Sequence, residues 1–245
     1  MHVQLFATCL PASLFPDTAT AAKRVLSRFG CEVETREAAV CCGQPAWNSG
    51  HLNEARKVAQ NALRALDGDD PIVMCSGSCA AMVHEYWPEL FAGTELQHAA
   101  TNAAARVREF STFVADDIGA DALTGAHLDP PLTAAYHDSC HMTRLLGAGD
   151  APRRLLAAID GLTMRPLTAP ERCCGFGGTF SIRYPELSVA MADEKVNDLT
   201  AKGVSVLIAA DSGCLMQICS RAAARHVPLE GRHISEVIDA ATAHG

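Results

Sequence analysis

The sequence has no run approaching the roughly 20 consecutive apolar residues that a membrane-spanning helix needs, so no transmembrane segment is expected. Its start, Met1-His2-Val3-Gln4-Leu5-Phe6, has neither the basic opening nor the long apolar core of a secretory signal. It reads as a strand that begins at once, and a cytoplasmic location is the expectation. There is no basic block: Lys and Arg number 20 against 28 Asp and Glu, a net charge of −8. That argues against nucleic acid or an anionic membrane as the main partner. The glycines at 175, 177 and 178 do not follow the Gly-x-Gly-x-x-Gly spacing, and no Lys-Ser or Lys-Thr follows them, which excludes a phosphate-cradling loop. No flavin or nicotinamide site is evident either, so the chain is not expected to oxidise a substrate alone. What remains is an ordinary globular composition, 49% hydrophobic and 20% charged, long enough at 245 residues for one large or two small domains.

Cysteine is the residue in excess. There are eleven. In a reducing compartment this favours metal binding or redox chemistry over a disulfide framework, and the odd count fits complete internal pairing poorly. Two stretches stand out: Cys41-Cys42-Gly43-Gln44-Pro45 and Cys173-Cys174-Gly175-Phe176-Gly177-Gly178. Each puts two soft sulfur ligands at one point of the backbone, followed by a glycine that permits unusual backbone angles.

The rest of the chain alternates strands and helices. Strands are expected over 3–8, 31–35 and 72–74. Helices are expected from about Thr18 to Phe29, over 50–66, over 80–86 ending near Pro88, and over 103–118. Residues 119–132, with Gly119, Gly125, Pro130 and Pro131, read as a linker. The order then restarts, with strands over 133–137, 162–167 and 204–210 and helices over 152–159, 186–201, 215–225 and 234–241. This divides the chain into a first unit over 1–120, a linker over 121–132 and a second unit over 133–245. Ser76-Gly77-Ser78-Cys79 matches Asp211-Ser212-Gly213-Cys214, and Phe110 to Val114 matches Ile234 to Ile238. A repeat of about 120 residues is far beyond the roughly 20–50 of solenoids. It implies two similar α/β units with parallel sheets, an internal duplication with pseudo-twofold symmetry.

Eight cysteines fall in matched places: Cys9, Cys41, Cys42 and Cys79 in one half, Cys140, Cys173, Cys174 and Cys214 in the other. The first spacing is 32 against 33 positions, the second 37 against 40. Each lies where a strand ends or turns into a helix, and in a parallel sheet such positions gather outside the carboxyl ends of the strands. Four thiolates suit an iron–sulfur cluster or a tetrahedral zinc. Adjacent cysteines strain a single zinc but can reach different irons of a cluster, which favours iron–sulfur and leaves zinc open for one half. Buried packing is the plain alternative for any one cysteine, since free cysteine is among the most buried residue types. Eight in matched places speak against it. Cys31, Cys75 and Cys219 have no counterparts; Cys31 reads as core, Cys75 as near the first site, and Cys219 as turned away from the second.

With these motifs in hand, the chain resembles the cysteine-rich CCG-domain family of iron–sulfur proteins over nearly its whole length. The matching stretches are Cys41 to Gly50, Ser76 to Val83, His137 to His141 and Cys173 to Phe180. Related subunits occur in glycolate oxidase and in heterodisulfide reductase. The resemblance implies an electron-transfer subunit of a cytoplasmic L-lactate- or glycolate-oxidising complex, working with companion iron–sulfur and dehydrogenase subunits. It also implies [4Fe–4S] clusters, one or two, with zinc in one half of some members. In the wider family the motif ends in Cys-x-x-Cys, and five cysteines hold an unusual cluster. Here Met82 and Gln217 stand at the fifth positions. A conventional cubane therefore fits better, and disulfide-cleaving chemistry is disfavoured.

The glycines at 43, 175, 177 and 178 are expected to let the backbone approach the bound group and to aim amides at the sulfurs. His137 and His141 flank Cys140; bonds to backbone groups or a helix cap are their expected role, with tuning of the site as the alternative. Asp138 and Asp211 read as turn residues with local backbone bonds. His84 and Glu85 read as an exposed face. Trp47 and Trp87 read as core or partner contacts.

Overall fold

The computed structural model describes residues 1–37 and 40–243. Two four-stranded sheets, all parallel, carry the molecule. The first contains β1 (His2–Phe6), β2 (Glu32–Thr35), β3 (Ile72–Met74) and β4 (Val107–Glu109) in the order β2-β1-β3-β4. The second contains β5 (His127–His137), β6 (Asp160–Met164), β7 (Val206–Ala209) and β8 (Glu230–His233) in the order β6-β5-β7-β8. The orders are the same, so the duplicated α/β architecture expected from the sequence is present.

Each sheet is covered on both faces, which is why its central strands are apolar throughout rather than alternating. Ile72, Val73 and Met74 are all fully buried. Val3, Leu5 and Val73 point to one side, into a central layer; Phe6, Ile72 and Met74 point to the other, against the helices Leu52–Ala65 and Gln97–Arg106. In the second sheet Tyr136, Ile208 and Ala210 face the same central layer, while Ala135, Leu207 and Ala209 face the helices Pro185–Ala201 and Ser212–Ala224. The two halves therefore share one core.

Helices from both halves fill that layer in matched pairs. Pro16–Arg28 starts with Pro at its first position, buries Ala21, Ala22, Val25 and Leu26, and stops before Gly30 at φ +80°. It packs on the closing helix Ile234–Thr242, where Arg24 and Arg28 both pair with Asp239. Its counterpart, Ala151–Ala157, packs on the helical segment Phe110–Gly119, and Arg154 pairs with Asp116.

Three sequence readings need correction. The helix expected over 103–118 is broken by β4: Gln97–Arg106 ends, three residues join the sheet, and Phe110 starts a new helical segment. The helix after Cys79 does not stop near Pro88. It runs from Gly77 to Leu90 with a wide turn over Met82–Tyr86, which accommodates the proline that lacks an N–H to give. The strand expected at Thr133 begins at His127, with a register shift before Leu132, so residues 127–132 of the expected linker belong to β5.

Candidate metal centre

The carboxyl ends of both sheets point at one place. Ser76 and Asp211, at the starts of the two cysteine-bearing helices, form an antiparallel bridge across the pseudo-twofold axis. A cleft of about 200 Å³ opens beside it, lined by Cys9, Cys42 and Cys79 from one half and Cys140, Cys173, Cys174 and Cys214 from the other. Cys41, half-buried, is not part of this lining but interacts with Cys9 and Cys42, which are. All eleven cysteines are free thiols.

Within each half the four matched sulfurs meet. In the first, Cys41 interacts with Cys42 and Cys9, and Cys42 with Cys79, closely enough to shift their titration. In the second, Cys173 hydrogen-bonds Cys140 and Cys174, and Cys174 Sγ lies 3.3 Å from Cys214 Sγ. The electrostatics repeat as well. Cys41 is pushed down to about 3, because Cys42 and Cys9 donate to it and the Gly43 amide adds to them. Cys173 is pushed down to about 2 by Cys140 and Cys174. Cys9, Cys42, Cys140 and Cys174 are pushed up, chiefly by donating to a sulfur neighbour, with burial adding to the effect. Cys214 is lowered to about 7 by Cys174. Each half thus holds one sulfur, Cys41 or Cys173, that its neighbours favour as the thiolate, and binding of a soft cation would have to displace the protons of the thiols around it.

Local sequence explains the convergence. Gly43 and Gly175 take φ +89° and +87°, a left-handed turn that folds each cysteine pair back on itself. Their amides lie 3.5 and 3.4 Å from Cys41 and Cys173 Sγ, so they do aim at sulfurs. Their missing side chains serve neighbouring helices: a Cβ would lie 2.8 Å from the Ala55 carbonyl oxygen at position 43 and 2.6 Å from that of Ser188 at position 175. Gly177 and Gly178 line the cleft itself, Gly178 opposite Pro45 of the other half. Trp87, fully buried, donates its indole N–H to the Cys42 carbonyl at 2.9 Å and pins the first loop. Trp47 stacks on Tyr86 with ring centres 5.1 Å apart.

The two positions that lack the fifth cysteine have other tasks. Met82 is fully buried in the outer core of the first half. Gln217 donates to Ser188 Oγ at 2.7 Å, and Ser188 donates to the Gly175 carbonyl at 2.8 Å, so the glutamine steadies the second loop. Of the unmatched cysteines, Cys31 and Cys75 lie in the central core. Cys219 faces Gly231 of β8, where a Cβ would lie 2.8 Å from its sulfur, away from the cleft.

The readings of the flanking polar residues change. His137 and His141 neither cap a helix nor bond backbone. His141 Nδ1 lies 3.7 Å from Cys140 Sγ, and its Nε2 lies 3.4 Å from the Gln44 amide nitrogen of the other half. His137 is fully buried behind the sulfurs, and a ring nitrogen and the Sγ atoms of Cys174 and Cys214 all lie within 4.8 Å of one another. Asp138 pairs with Arg153 at 2.7 Å rather than bonding its own turn. Asp211 does bond locally, accepting from the Gly213 amide at 3.0 Å, and it also accepts from the other half. His84 and Glu85 form an exposed pair 2.8 Å apart.

The donor set and its surroundings fit a soft metal group. Buried polar atoms without a hydrogen-bond partner gather here, among them Thr8 Oγ1, Ser212 Oγ and both ring nitrogens of His137, and Thr8 and Ser212 line the cleft. Such atoms are costly unless something further satisfies them.

A protein with two parallel α/β halves and matched cysteine quartets at one cleft belongs to a definite class. The family of the cysteine-rich CCG domain matches residues 3–84 and again 134–219, and the chain belongs to that family. It is similar throughout to lactate utilization protein A: 43% identical over 241 residues to that of an Exiguobacterium species, covering 97% of each chain. It is 43% identical to the protein of Geobacillus kaustophilus and 42% to one of Bacillus cereus, each match covering 98% of this chain and 99% of the relative.

Proposed function

We propose that this chain is the iron–sulfur electron-transfer subunit of a cytoplasmic lactate-oxidising system. The observation that carries the reading is the convergence of two matched thiol quartets on one cleft, in a chain similar end to end to lactate utilization protein A. Cys9, Cys41, Cys42 and Cys79 would hold one group, and Cys140, Cys173, Cys174 and Cys214 the other. A [4Fe–4S] cluster so held supplies reversible one-electron transfer. The chain's own part is to hold and insulate. Cys41 and Cys173 are ready as thiolates, and the Gly43 and Gly175 amides offset their charge. The helices starting at Gly77 and Ser212 place Cys79 and Cys214 in their first turns, where the helix dipole favours negative sulfur. Companion iron–sulfur and dehydrogenase subunits supply the oxidation itself; glycolate is the alternative substrate of such a complex.

Two other readings carry less. A disulfide-cleaving subunit needs the fifth ligands, and Met82 and Gln217 are committed to packing and to the Gly175 loop. A zinc scaffold leaves the paired adjacent cysteines unexplained, although zinc in one half is compatible with the donors. The test is metal and acid-labile sulfide analysis with electron paramagnetic resonance on anaerobically purified protein. Roughly four to eight irons per chain with equal sulfide are expected. A colourless protein holding zinc alone under those conditions would overturn the electron-transfer reading.

A further inference from the structure

The two quartets match, but what stands behind them does not. Three residues before Cys140, at the last position of β5, is His137; three before Cys9, at the last position of β1, is Phe6. Both are fully buried. Their registers correspond: Phe6 pairs with Met74 of β3, and His137 with Ala209 of β7. The first quartet is therefore backed by a hydrocarbon ring, and the second by an imidazole.

That imidazole has no ordinary reason to be there. Neither ring nitrogen has a hydrogen-bond partner. Burying such a ring without partners is costly, because its polar atoms have been taken from water. The polar neighbours within reach are the sulfurs: a ring nitrogen, Cys174 Sγ and Cys214 Sγ lie within 4.8 Å of one another. Ser139 Oγ points at Cys214 as well, at 3.7 Å. A neutral imidazole carries one N–H, and a thiolate is its natural acceptor here. A donor aimed at a cluster-bound sulfur stabilises the form with the extra electron, more so where water is excluded.

We infer that His137 is a positioning residue of the second site alone, donating to the sulfurs of Cys174 and Cys214 and making that site the more readily reduced of the two. The inference rests on the iron–sulfur reading above. With that donor behind the second site, an electron entering the pair settles there.

The test is His137→Phe, which copies the first half's residue, with iron and sulfide counts and a potentiometric titration followed by electron paramagnetic resonance. Cys42→Ser and Cys174→Ser proteins assign each signal to its half. The expected result is unchanged iron, a more negative midpoint for the second site and no change in the first. His137→Gln, which keeps an N–H, should retain more of the original midpoint than His137→Phe. If His137→Phe does not fold, His137→Leu and His137→Gln carry the same comparison. An unmoved second midpoint would overturn the inference while leaving the cluster reading intact. Loss of the second half's iron in every His137 variant would overturn it too, because the histidine would then be a ligand. A parent protein without iron would overturn both, and the iron count separates that outcome from the other two.

Discussion

Ser76 Oγ donates to Asp211 Oδ2 at 3.1 Å, although the two residues lie 135 positions apart. Each also caps its own helix: Ser76 Oγ accepts from the Cys79 amide at 3.3 Å, and Asp211 Oδ1 from the Gly213 amide at 3.0 Å. Asp211 Oδ2 further accepts from the Ser78 amide at 3.0 Å, and the Gly77 amide donates to the Ala210 carbonyl at 3.1 Å. The helix starts that carry Cys79 and Cys214 are thus tied to each other. Asp211→Ala removes a carboxylate acceptor from three donors, two of them in the other half. A loss of about 2–3 kcal/mol in urea denaturation is expected, with a smaller loss for Asp211→Asn, which keeps one acceptor.

The glycines after the cysteine pairs should tolerate no side chain. Gly175→Ala places a Cβ 2.6 Å from the Ser188 carbonyl oxygen in a left-handed residue, and Gly43→Ala does the same 2.8 Å from that of Ala55. Each change should cost on the order of 1–3 kcal/mol and loosen its own thiol quartet. Thiol titration with a chromogenic disulfide on the metal-free protein checks this. Faster reaction confined to the altered half is the expected outcome, and equal reactivity in the two variants and the parent counts against it.

Single cysteine changes should separate the sites. Cys174→Ser removes the sulfur that bridges Cys173 and Cys214, and Cys42→Ser removes its counterpart. Each should lose one half's metal and keep the other's, read as half the parent iron in a fully loaded protein. Simultaneous loss from both halves would show that the two quartets depend on each other across the cleft.

Another pair of matched positions predicts a pH effect. Glu109 and His233 end β4 and β8, both are buried, and each caps the helix that follows. Burial raises the Glu109 carboxyl to about 7 from its ordinary 4.5. The folded state then keeps a proton that the unfolded chain releases, so stability falls as pH rises from 4.5 to about 7. Burial lowers His233 to about 4 from 6.5. There the unfolded chain holds the extra proton, so stability rises with pH from about 4 to 6.5. Each effect is about 3 kcal/mol and they oppose each other. Between about pH 4.5 and 6.5 the parent should show little slope from this pair. Glu109→Gln should become more stable with rising pH, and His233→Asn less stable, when denaturation midpoints are compared across that range.

Much of this site was legible because its chemistry is carried by residue identity. Eight cysteines at matched spacings named the quartets, and the structure brings each quartet together. The buried strands over 72–74 and 204–210 were legible because short apolar runs bounded by turn residues suit a covered parallel sheet. The edge strands β4 and β8 were not. Val107-Arg108-Glu109 and Glu230-Gly231-Arg232-His233 are short and charged, and an alanine-rich run leading into Val107 imitates a continuing helix. His137 was only half legible for a different reason. A histidine three residues before a cysteine suggests a local backbone bond first and tuning of the site second, because its environment is set by Cys174 and Cys214, 37 and 77 positions further along. The same holds for Gln217, whose partner Ser188 lies on another helix.

The shared central layer has a consequence for how such a chain is put together. Helix Pro16–Arg28 lies on Ile234–Thr242 just as Ala151–Ala157 lies on Phe110–Gly119, arginine to aspartate in both places. Each half offers the other the same surface and receives the same one in return. That is the signature of an isologous dimer, here written into a single polypeptide. Fusion is what frees the two copies to diverge, so that one can keep phenylalanine behind its sulfurs while the other keeps histidine. Two identical subunits could never make that distinction.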